Sequence, residues 1–79
     1  MVISYTLLAC DPGSENSVME QLKAIADVKE AHGIYGPYDI LVKVESSSMN
    51  DQRETIAFKI REIPHVRSTL TLTCIEGQE

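Results

Sequence analysis

Four segments of the chain alternate apolar and polar side chains, which is the two-residue period of a β-strand with one face in a core. These are residues 2–10, 28–35, 38–45 and 66–75. The second segment has few large apolar side chains, so it is predicted to be an edge strand. In the fourth, Leu70, Leu72 and Cys74 share one face, and the threonines on the other face are Thr69, Thr71 and Thr73.

The segment between the first two predicted strands has the period of an amphipathic helix. Within residues 14–28 the apolar stripe consists of Val18, Leu22, Ile25 and Ala26. Either Ser14 or Ser17 can cap this helix, and Ser17 with Glu20 has the spacing of a capping box. Asp11-Pro12-Gly13-Ser14 precedes it as a turn.

A second helix is predicted between the third and fourth strands. Its stripe consists of Ile56, Ile60 and Ile63. Ser48 or Asn50 is the expected N-cap, because their side-chain oxygens can accept from backbone amides of the first turn. Pro64 ends the helix.

The order βαββαβ predicts an α+β fold of the ferredoxin-like type, a four-stranded antiparallel sheet with two helices on one face. Residues 1–79 form a single domain. The helix-free face would carry Leu41, the threonines of the last strand and part of the first strand. A core of this size supplies only about 3–5 kcal/mol, so a second copy packed on that face is expected.

Composition disfavours nucleic acid and membrane partners. The net charge is −5 with seven Lys and Arg, whereas nucleic-acid binding depends on basic side chains that neutralise phosphates. The chain begins without a basic, secretory-type segment, and its apolar runs are shorter than the ~20 residues of a membrane span. The expectation is a cytoplasmic protein with reduced thiols that binds neither nucleic acid nor membrane directly.

Three short motifs carry a family resemblance. They are Gly36-Pro37-Tyr38-Asp39, Ile63-Pro64-His65-Val66 with Thr69-Leu70-Thr71, and the turn Asp11-Pro12-Gly13. In this order and spacing the chain resembles, over residues 2–76, the effector-binding RAM domain of the Lrp/AsnC family of feast/famine transcription regulators. The family's helix-turn-helix domain is missing from this sequence. Pro37 stands where the family often has Asp, and His65 replaces its usual glycine.

The resemblance implies a stand-alone effector-binding domain that forms a homodimer, and then a possible ring of dimers. Such a domain would bind a small metabolite, an amino acid above all, between subunits. It would modulate transcription indirectly, by assembling with full-length Lrp/AsnC regulators or by sensing amino-acid levels. The implied ligand-binding residues are Gly36, Tyr38, Asp39, Thr69 and Thr71.

Each of these residues also has an ordinary structural explanation. Asp39 could accept the ammonium of an amino acid, or hydrogen bonds from its own turn. Thr69 and Thr71 could bond a ligand carboxylate, or reflect the β-propensity of threonine. Tyr38 could line the pocket or pack in the interface. Pro37 supplies no N–H, which would matter if that group holds a ligand in the family.

The remaining reactive residues favour no enzyme, cofactor or metal. His32 and His65 have no Cys or Glu at ligand spacing. Cys10 and Cys74 are expected at opposite ends of neighbouring antiparallel strands, too far apart for a disulfide. No catalytic residue set stands out. Two alternatives to the regulator domain stay open, namely a small dimeric ferredoxin-like monooxygenase or isomerase and an oligomerisation module without a ligand. An ACT domain has the same element order, and the Tyr38-Asp39 and Thr-Leu-Thr positions favour the Lrp/AsnC interpretation.

Overall fold

A computed structural model describes residues 1–78. Four strands form one sheet, and two helical segments connect them in the order βαββαβ. The strands are β1 (Val2–Cys10), β2 (Val28–Gly33), β3 (Ile40–Ser46) and β4 (Val66–Thr73). The helices are α1 (Glu15–Lys23) and α2 (Met49–Glu54), and α2 continues as a π-helical segment over Thr55–Ile60.

The sheet is antiparallel throughout, with the strand order β2-β3-β1-β4. This order and the helical connections confirm the predicted ferredoxin-like α+β fold. The two central strands are the most apolar, and β2 is an edge strand as its composition predicted. β1 therefore has hydrogen-bonded neighbours on both sides, β3 and β4.

The core lies between the sheet and the helices. Its largest fully buried side chains come from β1, β3, α1 and the π-helical segment, and include Leu8, Leu22, Ile40, Val42 and Ile60. On β3 every second residue from Ile40 to Ser46 is buried, which is the alternation expected of a strand covered on one face. Within residues 1–78 the buried apolar side chains form one cluster, and Val28 of β2 and Val66 of β4 pack against it.

A β-bulge in β2 changes which of its residues share a face. Val28 pairs with Val44 and Glu30 with Lys43, so Lys29 is the extra residue. The strict alternation expected for residues 28–35 is therefore wrong. Val28 faces the helices, whereas Glu30 lies on the opposite side of the sheet. The strand also ends at Gly33, before the predicted limit.

The threonines of β4 lie on the opposite face from the one predicted. Thr71 pairs with Thr6, which is fully buried beneath the helices, and the two hydroxyl oxygens are 3.1 Å apart. Thr69 and Thr73 share this side by alternation. The expectation that these threonines occupy the helix-free face is wrong, because hydrophobicity alone does not tell which face of an edge strand meets a core.

The side chains on the helix-free face of the sheet form a mainly apolar surface, here called the open face. Leu41, Leu7 and Leu70 lie in one row across three strands, and Lys43, Tyr5 and Leu72 lie in the next. Leu70 and Leu72 are 43% and 54% exposed. Charged pairs border this surface, with Lys43 Nζ 3.7 Å from Glu30 Oε2 and 3.9 Å from Glu45 Oε2.

Both helical segments differ in part from their predictions. α1 is shorter than expected, and Ser14 is its N-cap residue without a side-chain capping bond, so the Ser17–Glu20 capping box is wrong. In the second segment the Arg61 amide donates to the Ile56 carbonyl at 2.9 Å, the five-residue step of a π-helix. No helix within residues 1–78 is long and apolar enough to cross a membrane.

Ser48 provides a test of how α2 begins. Its hydroxyl accepts a hydrogen bond from the Asp51 amide at 3.1 Å, which confirms one of the two predicted N-caps. We expect Ser48→Ala to lower the free energy of unfolding in urea by about 1 kcal/mol. Asn50→Ala is the matched control, since Asn50 is exposed and lies inside the helix. Equal effects of the two substitutions would contradict the assignment of the cap.

Candidate functional site

Hydrogen bonds of Asp39 join the start of β3 to the end of β1. The Asp39 amide donates to the Leu8 carbonyl at 2.8 Å, and its own carbonyl accepts from the Ile34 amide at 2.9 Å. One carboxylate oxygen, Oδ2, accepts from the Cys10 amide at 2.9 Å. The side chain thus bonds a neighbouring strand rather than its own turn, and it has a structural role that the sequence did not indicate.

A cleft of about 480 Å³ opens beside Asp39, between the first turns of α1 and the end of β2. We call it the α1 cleft. Its volume lies within the roughly 300–1,000 Å³ of small-molecule sites. Its lining residues are Glu15, Asn16, Met19, Gly33, Ile34, Tyr35, Asp39 and Ile40. Sequence reasoning found only Asp39 among them, and the exposed Tyr35 next to the Gly-Pro turn was the available signal.

The α1 cleft has an acidic end, because Glu15 and Asp39 both line it, and their charges affect the neighbouring Cys10 thiol. Burial raises the pKa of the Cys10 thiol, the hydrogen bond with Ser14 lowers it, and the negative charges of Asp39 and Glu15 raise it further. The thiol is therefore protonated at neutral pH. Cys10 is buried and is not one of the lining residues of the cleft, and its amide holds the Asp39 carboxylate in place.

The Gly-Pro turn projects from the sheet. Gly36 has φ +129°, a region that favours glycine, and Gly36 and Pro37 are exposed. Tyr38 is half-buried. Of the three site residues predicted in this turn, Asp39 alone lines the α1 cleft, whereas Gly36 and Tyr38 flank it along the chain.

One chain does not bring the two predicted halves of the site together. Thr69 pairs with Leu8, which in turn pairs with Ile40, so β1 separates Thr69 from the start of β3. Two strand spacings correspond to about 10 Å. Thr71 lies two residues further along β4, and its hydroxyl oxygen is 3.1 Å from that of Thr6. A ligand that contacts Asp39 and these threonines would need groups from a second subunit.

The histidines lie apart and each has an acidic neighbour. His32 Nε2 is 3.1 Å from Glu30 Oε1 on β2, and His65 Nδ1 is 3.2 Å from Asp11 Oδ2. His65 has φ +77°, a backbone conformation that favours glycine, which is the residue that the family resemblance implies at this position. Among residues 1–78 no three His, Cys, Asp or Glu side chains are grouped to hold a metal ion.

The cysteines occupy opposite ends of the β1–β4 pair. Cys10 pairs with Val66, and the Cys74 amide donates to the Ile3 carbonyl at 2.8 Å. Both are free thiols. Their placement agrees with the sequence-based argument against a disulfide.

Comparison with known proteins shows the family. The model of the Lrp/AsnC ligand binding domain matches residues 5–77, so this chain belongs to that family. An uncharacterized HTH-type transcriptional regulator of Pyrococcus furiosus is 33% identical over 72 residues, which are 87% of this chain and 48% of that protein. The chain therefore spans about half the length of that regulator.

Two further similarities extend the picture. The crystal structure of a protein named FFRP-DM1 superimposes with a TM-score of 0.92 at 41% identity, covering 95% of this chain and 100% of that one. A homocitrate synthase of Saccharolobus islandicus is 47% identical over 55 residues, which are 70% of this chain but 12% of that enzyme. Segments similar to this chain thus occur both in a protein named as a transcriptional regulator and in a protein named as an enzyme.

Substitutions at Asp39 separate its structural bond from its charge. Asp39→Ala leaves the Cys10 amide without its acceptor, so we expect a loss of about 1–3 kcal/mol in the free energy of unfolding. Asp39→Asn keeps an acceptor oxygen and should lose much less. Urea unfolding of both variants measures the difference. Equal losses would mean that the hydrogen bond to Cys10 contributes little to stability.

Proposed function

We propose that this domain binds a small metabolite, most specifically an α-amino acid, and transmits its presence to a transcription regulator. The ligand would lie against the Gly36–Asp39 turn of one subunit and the Thr69/Thr71 strand of another. Gly36, Tyr38 and Asp39 would contact the ammonium side, and the two threonine hydroxyls would bond the carboxylate. The domain itself would catalyse no reaction.

One observation carries this proposal. The Asp39 carboxylate lines the α1 cleft, where its Oδ2 accepts a hydrogen bond from the Cys10 amide. A carboxylate fixed in this way suits an ammonium group, because charge-assisted hydrogen bonds are stronger than neutral ones. Glu15 adds a second negative charge to the same cleft.

The open face supports the expected homodimer. Leucines from three strands lie side by side there, and part of their surface is exposed. Packing a second copy of the same sheet on this face would bury the leucines and keep the charged border in water. A further assembly of dimers would then bring the Gly36–Asp39 turn of one subunit near β4 of another.

The similar proteins support a sensing role rather than catalysis. One is named as a transcriptional regulator, and the other is an enzyme more than eight times the length of the shared segment. The shared segment therefore does not account for the difference between a regulator and an enzyme. We infer that the shared segment supplies ligand control. For this chain the partners would be full-length Lrp/AsnC regulators, and its place would be the cytoplasm.

The ligand prediction is tested by thermal shift and calorimetry with each of the twenty amino acids. A ligand that binds the folded state raises the melting temperature. For whichever amino acid binds, Asp39→Asn and Thr71→Val should each raise the dissociation constant about ten-fold, the equivalent of about 1.4 kcal/mol. Thr71→Val also removes the bond to Thr6, so the dissociation constant must be measured below the variant's melting range.

The matched control is Glu20→Gln, because Glu20 is an exposed carboxylate of α1 that does not line the cleft. This variant should bind the amino acid like the wild type. If an amino acid binds and the Asp39 and Thr71 variants retain full affinity, the site is elsewhere. If none of the twenty binds, the amino-acid proposal is wrong, and the oligomerisation module without a ligand becomes the better account.

The dimer prediction is tested at Leu41. Leu41→Asp places a charge at the β3 end of the leucine row, so sedimentation should show monomers or the chain should melt at a lower temperature. Phe58→Asp is the matched control, because Phe58 is 73% exposed on the helical segment. Unchanged sedimentation of the Leu41 variant, or dissociation of the Phe58 variant instead, would move the interface away from the open face.

A further inference from the structure

A layer of polar side chains lies where α2 covers the sheet. Ser4 and Thr6 on β1 are both fully buried. Gln52 of α2 is only 4% exposed, and its Nε2 donates to Thr73 Oγ1 at 2.9 Å. Thr71 completes the layer through its hydroxyl contact with Thr6. Apolar side chains would be expected at such positions, since burying polar groups costs free energy unless they are paired.

Two atoms of this layer have no hydrogen-bond partner, Gln52 Oε1 and Ser4 Oγ. They are close in the fold, because Ser4 is the strand partner of Thr73 and Gln52 bonds Thr73. Leaving a buried acceptor unpaired is destabilising, and native proteins contain few such groups. An amide oxygen can only accept, so Gln52 Oε1 is the atom of this layer that a donor on an adjoining ligand would satisfy.

A groove of about 300 Å³ provides the approach, and we call it the α2 groove. Gln52, Thr71 and Thr73 form part of its lining, together with the apolar Met49, Ile56 and Ala57. Arg53 and Arg61 complete it. The chain has three arginines and a net charge of −5, so two arginines in one groove make a local positive site on an acidic protein.

These arginines have no competing acidic partner among residues 1–78, where neither forms an ion pair within 4.0 Å. A guanidinium group matches the geometry of a carboxylate and binds it through two parallel hydrogen bonds. The irregular π-helical turn from Thr55 to Ile60 forms the rim that carries Ile56 and Ala57. Such turns occur frequently at functional sites.

We propose that the α2 groove is a second ligand site, one that takes a small carboxylate with a hydrogen-bond donor on its carbon skeleton. Arg53 and Arg61 hold the carboxylate. The donor, a hydroxyl or an ammonium group, reaches Gln52 Oε1. The carbon skeleton lies against Met49, Ile56 and Ala57.

The α2 groove is distinct from the α1 cleft. Thr73 is level with Ser4, whereas Asp39 bonds residues at the far end of β1. Four residues of strand separate Ser4 from Leu8, which corresponds to about 13 Å. The proposal of a second site therefore does not rest on the proposed function, although Thr71 is part of both proposed ligand sites.

The test is a nuclear magnetic resonance titration of the ¹⁵N-labelled chain. The probes are glycolate, L-lactate, L-malate and the twenty amino acids, with propionate as a carboxylate that lacks a donor and inorganic phosphate as an anion without a carbon skeleton. We expect saturable shifts of the Gln52 side-chain amide and of the Thr71 and Thr73 backbone amides. At least one hydroxy or amino acid should bind about ten-fold more tightly than propionate or phosphate.

Arg53→Gln combined with Arg61→Gln should weaken that binding at least ten-fold, and Arg67→Gln, which lies beside Asp11, is the matched control and should not. Gln52→Leu should abolish the preference for the hydroxy or amino acid over propionate, because it removes the acceptor for the donor of the ligand. If this variant keeps the preference, Gln52 does not contact the donor and the proposal is wrong.

The proposal is overturned if no probe shifts these resonances at 20 mM, or if phosphate alone does so. Shifts confined to Gly36–Asp39 would support the α1 cleft and contradict the α2 groove. Shifts confined to Gln52, Thr71 and Thr73 would do the reverse, so the two proposals fail separately.

Discussion

The pairing of β1 with strands on both of its edges is the constraint from which the rest of the structure follows. Ser4, Thr6, Leu8 and Cys10 face the helices, so their partners on β3 and β4 must face them too. A shift of one residue in either register would turn the leucine row inward and the buried layer outward. The core, the open face and both clefts are therefore defined by a single strand.

Much of this arrangement could be predicted because it depends on local patterns. The alternation of β3 from Ile40 to Ser46 and the position of Pro64 after the second helix identify the elements and their order. The features that could not be predicted depend on contacts between elements. The bulge at Lys29 reverses the alternation of β2, and Thr71 faces inward because Thr6 does. For an edge strand composed of alternating Leu and Thr, both orientations look equally reasonable in the sequence.

The same limit applies to the site residues. Asp39 was identifiable because an aspartate follows a Gly-Pro turn, but its bond to Cys10 depends on the packing of β1 against β3. Gln52 and Arg53 gave no signal, since glutamine and arginine in a helix normally face water. Only the position of α2 over Thr73 shows that Gln52 is buried, and only the groove brings Arg53 and Arg61 to one place.

The two clefts have opposite electrostatic character, and this decides what each can hold. The α1 cleft contains Glu15 and Asp39 and no basic side chain, so it suits an ammonium group but offers no charged partner to a carboxylate. Pro37 cannot supply a backbone N–H either. An amino acid bound there needs its carboxylate partners from a second subunit, which ties ligand binding to assembly.

The α2 groove contains Arg53 and Arg61 and no acidic side chain, so one chain can hold a carboxylate in it without a partner. The two proposals therefore predict that binding at the first site changes with protein concentration, whereas binding at the second depends on the single chain alone.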